Sequence, residues 1–245
     1  MKNHKFTSII LAVLFITTAS NCNTYSADNN YSGSQDSKRE VRNVDKFSAI
    51  GLSVSADVYV TQGSPQKVEL EGAASDLEKI VTEVDGNKLK IKTQPGTWHV
   101  GKVKAYITVE NINSLSVSGS GSLFIEKSLE TDELNLAVSG SGSIDVKNLK
   151  ANSIESAISG SGEIRLSGGG KVVESQRIAI SGSGDLYAES LETRDAEVHV
   201  SGSGECKLFV SGKLDASVSG SGDVYYKGEA VVKAHVSGSG KVRKM

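Results

Sequence analysis

The stretch Leu136-Ala137-Val138-Ser139-Gly140-Ser141-Gly142-Ser143-Ile144-Asp145-Val146 decides the fold. Apolar residues alternate with polar ones on both sides of its central Ser-Gly-Ser-Gly, the period-two signature of strands. That tetrapeptide occurs seven times, starting at Ser118, Ser139, Ser159, Ser181, Ser201, Ser219 and Ser237, at intervals of 21, 20, 22, 20, 18 and 18 residues. A period near twenty points to a solenoid. Val117, Val138, Ile158, Ile180, Val200, Val218 and Val236 precede the seven copies, and pairs such as Ile144/Val146 and Ile164/Leu166 follow them. If the strand runs on through the tetrapeptide, the glycines face inward and the serines stack outward as hydroxyl ladders. Twenty residues give a coil of roughly 66 Å, one turn of a slim parallel β-helix with rungs about 4.8 Å apart. The rival is an antiparallel hairpin meander, in which Gly-Ser-Gly loops also keep the register. The solenoid is favoured because stacking demands identical residues at each corner, whereas exposed hairpin loops do not.

Outward from the repeats, residues 41–110 are strand-rich but less regular. Val54, Asp57, Val58 and Val60 echo the later copies, Asp85-Gly86-Asn87 marks a turn between two strands, and Ala74 to Lys79 suit one helical turn. This region reads as modified first coils plus the cap that an open solenoid end requires. Residues 41–245 then form one all-β domain, with the Ser-Gly coils in 111–245.

Residues 1–22 read as a signal peptide: Lys2, His4 and Lys5 precede an apolar run from Phe6 to Ala19, too short to span a bilayer. Cys22 is the candidate lipidated residue, and cleavage after Ala19 is the rival. Residues 23–40 are polar and read as a flexible tether. An exported protein follows, in the outer membrane as a lipoprotein, in the periplasm or at the cell surface, touching the membrane through the lipid alone. The other thiol, Cys206, replaces an inward aliphatic residue and reads as a small buried hydrophobe.

Composition limits the function classes. The chain has 245 residues, 38% hydrophobic, with 26 glycines, 2 prolines, 2 cysteines and a net charge of −2. Few prolines exclude collagen, two cysteines exclude a disulfide scaffold, and the charge gives no reason to expect nucleic acid.

Taken together, FSAIGLSVSADVYVTQGSPQKVELEG, IVTEVDGNKLKIKT and KAYITVENINSLSVSGSGSL resemble the putative auto-transporter adhesin, head GIN domain family, a family of unknown function common in Bacteroidetes. The resemblance runs from about Val41 to Met245. It implies a right-handed parallel β-helix, an extracytoplasmic location and an adhesive role. An auto-transporter needs a C-terminal membrane barrel, and the sequence stops at Met245, so self-translocation is not expected.

Three outward ladders carry candidate chemistry. The residue after each tetrapeptide gives Glu163, Asp185, Glu205 and Asp223 in successive rungs, whose mutual repulsion invites a cation such as calcium. The plainer reading is a solvated edge balanced by Arg165 and Lys207. The next ladder is Phe124, Asp145, Arg165, Tyr187, Lys207 and Tyr225. Arg165, Tyr187, Lys207 and Tyr225 make it a candidate ligand face for carbohydrate or a surface protein, against the plainer reading of ordinary surface. The third is the small set Ser116, Ala137, Ala157, Ala179, His199, Ser217 and His235, a flat wall suited to another β layer or a second subunit. No cofactor and no catalytic residue stand out. An exported binding or structural protein of the envelope is the expected function. The alternative is a β-helical enzyme acting on acidic polysaccharide, built on Glu163, Arg165, Asp185, Glu205 and Lys207.

Overall fold

The computed structural model describes residues 37–245; the stretch read as a signal peptide, Cys22 and the expected tether up to residue 36 lie outside them. The chain enters along β1 (Ser37–Arg42), passes through β2 (Ala49–Ser53) and β3 (Asp57–Gln62), and turns back as β4 (Lys67–Ala73). It then makes the single helical turn α1 (Ala74–Leu77) and continues as β5 (Ile80–Asp85), β6 (Lys88–Thr93) and β7 (Lys104–Val109). Next come β8 (Ser114–Gly119), β9 (Ser122–Ile125), β10 (Leu129–Glu130), β11 (Glu133–Gly140), β12 (Ser143–Lys150), β13 (Ser153–Gly160) and β14 (Glu163–Gly168). The C-terminal part holds β15 (Val173–Gly182), β16 (Asp185–Gly202), β17 (Glu205–Gly220), β18 (Asp223–Lys227), β19 (Val231–Gly238) and β20 (Lys241–Lys244). Residues 37–40 were expected in the tether but are the first part of β1. Their run Ser-Lys-Arg-Glu has no apolar alternation because β1 is an exposed edge strand, held by antiparallel pairing to β4.

From β8 onward every inter-coil pairing is parallel. Val138 stands over Val117 and under Ile158, and Ser139 over Ser118 and under Ser159. The hairpin meander is excluded, because it would pair Val138 with Ile144 within one antiparallel ribbon. Each coil has two main sides. One carries β8, β11, β13, β15, the end of β16, the end of β17 and β19; the other carries β9, β12, β14, the start of β16, the start of β17, β18 and β20. A further bend follows at Asn148, whose φ of 52° lies in the left-handed region that asparagine tolerates. It turns Leu149 and Ala151 inward, so this coil buries Leu134, Leu136, Val138, Ile144, Val146, Leu149 and Ala151. Leu129 and Leu149 pair in register at this bend.

The Ser-Gly-Ser-Gly copies are the corners that the repeat implied; the one difference is that the strand does not run on through them but breaks after the first glycine, as between β11 and β12. The first glycine of each copy has φ between 114° and 129°, a conformation that side chains make costly. The serine after it keeps the ladder going: Ser161 N–H donates to the Gly140 carbonyl at 2.9 Å, and Ser183 N–H to that of Gly160 at 2.8 Å. The second glycine does face inward. A Cβ on Gly222 would stand 2.6 Å from Val200 Cγ1 and 2.7 Å from the Gly204 carbonyl oxygen. The sevenfold repetition is therefore a packing requirement of the stacked corners.

The N-terminal end differs from chain order. β2 pairs with both β6 and β8, and β3 with both β7 and β9. The coil made by residues 49–62 thus lies between the later coil 88–109 and the repeats. β5 pairs antiparallel with β6, and β4 antiparallel with β7, closing the end. At the corner of the outermost coil, Gln94–Val103 takes the place of the glycine tetrapeptide and projects as a loop.

Candidate functional site

Because side chains alternate along a strand and the coils are in register, one outward position becomes a row along the solenoid. Pairing across β7, β3, β9, β12, β14, β16, β17, β18 and β20 aligns Tyr106, Tyr59, Phe124, Asp145, Arg165, Tyr187, Lys207, Tyr225 and Arg243. The candidate ligand residues are brought together on this row. Sequence reading missed its first part, Tyr106 and Tyr59, because the coil order there is invisible in the chain.

Two kinds of stacking run along the row. Tyr59 lies 5.5 Å from Tyr106 and 5.4 Å from Phe124, in near-parallel planes, and the Arg39 guanidinium caps Tyr106 at 4.6 Å. Further on, cations and rings alternate: Arg165 sits 5.4 Å and Lys207 5.0 Å from the Tyr187 ring centre, and Lys207 6.0 Å from that of Tyr225. Each neighbour belongs to the rung above or below. The Tyr187 faces are therefore taken by Arg165 and Lys207, and its edge and hydroxyl are what it offers outward.

The acidic row runs beside this one. Glu163 is paired with Arg165, Lys207 Nζ reaches Glu205 at 2.7 Å, and the hydroxyls of Tyr187 and Tyr225 donate to Asp185 and Asp223 at 3.4 and 3.1 Å. Asp185 also accepts the Glu205 N–H at 2.7 Å. The carboxylates of the calcium reading thus each have a partner, and among the described residues no three His, Cys, Asp or Glu side chains converge to hold a metal ion. Titration follows from these contacts. Burial first, then the Asp185 charge, raises the Tyr187 phenol above its ordinary value; the bond to Asp223 does the same for Tyr225. The bond to Glu205 raises the Lys207 ammonium.

A groove of about 510 Å3 opens on this face, lined in part by Asp145, Lys147, Arg165, Tyr187, Glu189 and Lys207. Three cations face two carboxylates there. One carboxylate oxygen of Glu189, Oε2, is buried without a hydrogen-bond partner among the described residues. The small-residue row lies on the other side of the coils, where Ala137, Ala157, Ala179 and His199 stack in register. His199 bonds Glu197 at 3.1 Å and, with Arg177, holds that carboxyl below its usual range. Cys206 is fully buried between Leu186 and Val224, and burial drives its thiol far above the ordinary value.

The architecture and the row define a class: a parallel β-solenoid carrying an unbroken outward column of aromatic and charged side chains. The family described as putative auto-transporter adhesin, head GIN domain, matches residues 46–230, most of the chain, and the protein belongs to that family. A putative adhesin from Bacteroides fragilis superposes with a TM-score of 0.80 at 23% identity, over 86% of this chain and 98% of that one. A second putative adhesin, from Parabacteroides distasonis, gives 0.71 at 22% identity, covering 87% and 98%. A structure described as a putative lipid binding protein from the same species gives 0.70 at 23%, covering 85% and 96%. At these identities the likeness is one of fold. No curated protein matches the chain.

Proposed function

We propose that the protein is an exported, non-catalytic, adhesin-like binding protein of the bacterial envelope, lipidated at Cys22, whose ligand is a carboxylate-bearing polysaccharide held in the groove at Arg165, Tyr187 and Lys207. The observation that carries this reading is the groove, an opening on the aromatic and cationic row of a regular wall. Lys147, Arg165 and Lys207 supply donors for sugar carboxylates, and charge-assisted bonds of this kind are the stronger ones. The buried, unpartnered Glu189 oxygen is an acceptor that a sugar hydroxyl would satisfy. Tyr187 contributes its hydroxyl and ring edge, since both ring faces are occupied.

The test is binding of the full chain to an array of acidic and neutral polysaccharides. Arg165→Ala/Lys207→Ala is expected to abolish binding to the acidic set and to leave melting nearly unchanged, because surface ion pairs contribute about 0–1 kcal/mol. A blank array, or binding that survives the double substitution, would refute the reading. Mass spectrometry of the membrane fraction tests the anchor; an unmodified N-terminus at Ser20 would remove it.

A further inference from the structure

The capped end carries a second surface unlike the rest of the molecule. Trp98, the single tryptophan of the chain, is 98% exposed at the tip of the loop Gln94–Val103. An indole costs free energy when left wholly in water, and tryptophan is at home where an apolar medium meets a polar one. The loop under it is braced. Asp76 accepts the backbone N–H of Gly101, Lys79 donates to Asp76 at 3.1 Å, and the Gln94 N–H bonds the Lys79 carbonyl at 2.9 Å. The indole is thus held out on an anchored support.

Lys102, within the loop, and Lys104, just after it, are exposed; Lys104 stands in register with Asp57 and Glu71, yet neither lysine makes an ion pair among the described residues, whereas Lys79, Lys90 and Lys92 do. Ser37, where the described fold begins, lines a cavity together with Glu71, Asp76, Gly101, Lys102 and Lys104; its two carboxylates are already paired, Glu71 with Arg39 and Asp76 with Lys79. The described fold therefore begins beside Gly101 and Lys102, on the loop that carries Trp98. Cys22 lies fifteen residues before Ser37, a reach of at most about 50 Å when extended.

We infer that this end is a membrane-docking face: Trp98 enters the interfacial layer of an anionic bilayer while Lys102 and Lys104 meet its headgroups. The occupant is a lipid surface because the indole and the two cations lie on one loop and the strand it leads into, and because the described fold begins at Ser37, beside Gly101 and Lys102 of that loop. Only this orientation toward the anchored membrane rests on the lipidation reading; the chemistry of the face does not. Its consequence is a molecule that stands with the cap on the bilayer and the groove displayed away from it.

Because Trp98 is the sole tryptophan, its emission reports this contact directly. The full chain is mixed with vesicles of equal phosphatidylcholine and phosphatidylglycerol. The expected result is a shift of emission to shorter wavelength and quenching by lipids brominated on the acyl chain. Lys102→Ala/Lys104→Ala is expected to weaken the vesicle partitioning read by that shift by about 25-fold, roughly fivefold per lysine, and 1 M salt to weaken it similarly. Trp98→Ala is expected to melt like the unsubstituted protein and, in chain carrying Cys22→Ser so that no lipid anchor contributes, to lose vesicle retention. Chain that sediments with vesicles while its emission stays at the lipid-free position would overturn the inference, as would equal shifts with purely phosphatidylcholine vesicles. A shift caused by polysaccharide and not by vesicles would also overturn it, making Trp98 part of a sugar site. An emission shift in chain whose N-terminus proves unlipidated would sustain this face and refute the anchor.

Discussion

Gly119 and Gly160 offer a matched pair for testing why the corners repeat. Both have φ of 115°, yet a Cβ on Gly119 would meet nothing within 4 Å, whereas one on Gly160 would lie 2.6 Å from the Gly140 carbonyl oxygen. Gly119→Ala therefore carries only backbone strain, about 1–3 kcal/mol. Gly160→Ala carries the same strain plus forced displacement of the coil beneath, a further 1–3 kcal/mol typical of overpacking. That displacement also disturbs the 2.9 Å bond from Ser161 to Gly140. The difference between the two variants is then about 2 kcal/mol, and in a domain of this size it corresponds to roughly 4–8 °C in melting temperature. Circular dichroism melts of the two variants side by side measure it. Equal losses in both would show that neighbour contact plays no part, and no loss in either would refute the argument that stacked corners require glycine.

Other consequences are as direct. Ser156 is buried in a column between Leu136 and Ile178, its hydroxyl without a partner among the described residues; Ser156→Ala removes an uncompensated desolvation and is expected to stabilise the protein by about 1 kcal/mol, measurable by denaturant titration. Asp76 is held below the usual carboxyl range by the Gly101 N–H first and by Lys79 second. A depressed folded value means the contribution is complete above about pH 4 and is lost as pH falls through that value. Trp98 anisotropy should accordingly drop during acidification below pH 4, and a flat profile down to pH 2 would contradict the brace. The Cys206 thiol, buried and with its ionisation suppressed, should resist thiol reagents in the native protein and react fully in denaturant; rapid native labelling would show the coil to be open there.

The repeat region was the legible part because its periodicity is also its geometry. Val138, Ile144 and Val146 read as inward and are buried, and Arg165, Tyr187, Lys207 and Tyr225 read as one row and stand in register. The turn at Asp85-Gly86-Asn87 and the helical turn at Ala74 were also visible, since local chemistry sets both. What escaped was of two kinds. Backbone sign at the corners escaped because alternation continues through Gly140 and Gly142 whether the chain runs straight or bends. Coil order at the capped end escaped because strands of like pattern stack equally well in several orders, so nothing in residues 49–62 announces neighbours at 88–93 and 114–119. Trp98 drew no attention in the sequence for a related reason: its exposure comes from a loop that replaces a corner, a substitution visible only once the coils are stacked.

The displaced coil has a bearing on how the molecule assembles. Each Ser-Gly coil closes on the one before it after some twenty residues of chain, a short and nearly constant loop. β2, by contrast, waits about forty residues for β6 and sixty-five for β8. Long closures come at greater entropic expense and slow the search. Residues 49–125 must therefore settle their mutual order before the remaining coils have a template. Once that seed exists, every later turn is a repetition of one step, added in the direction the chain is made.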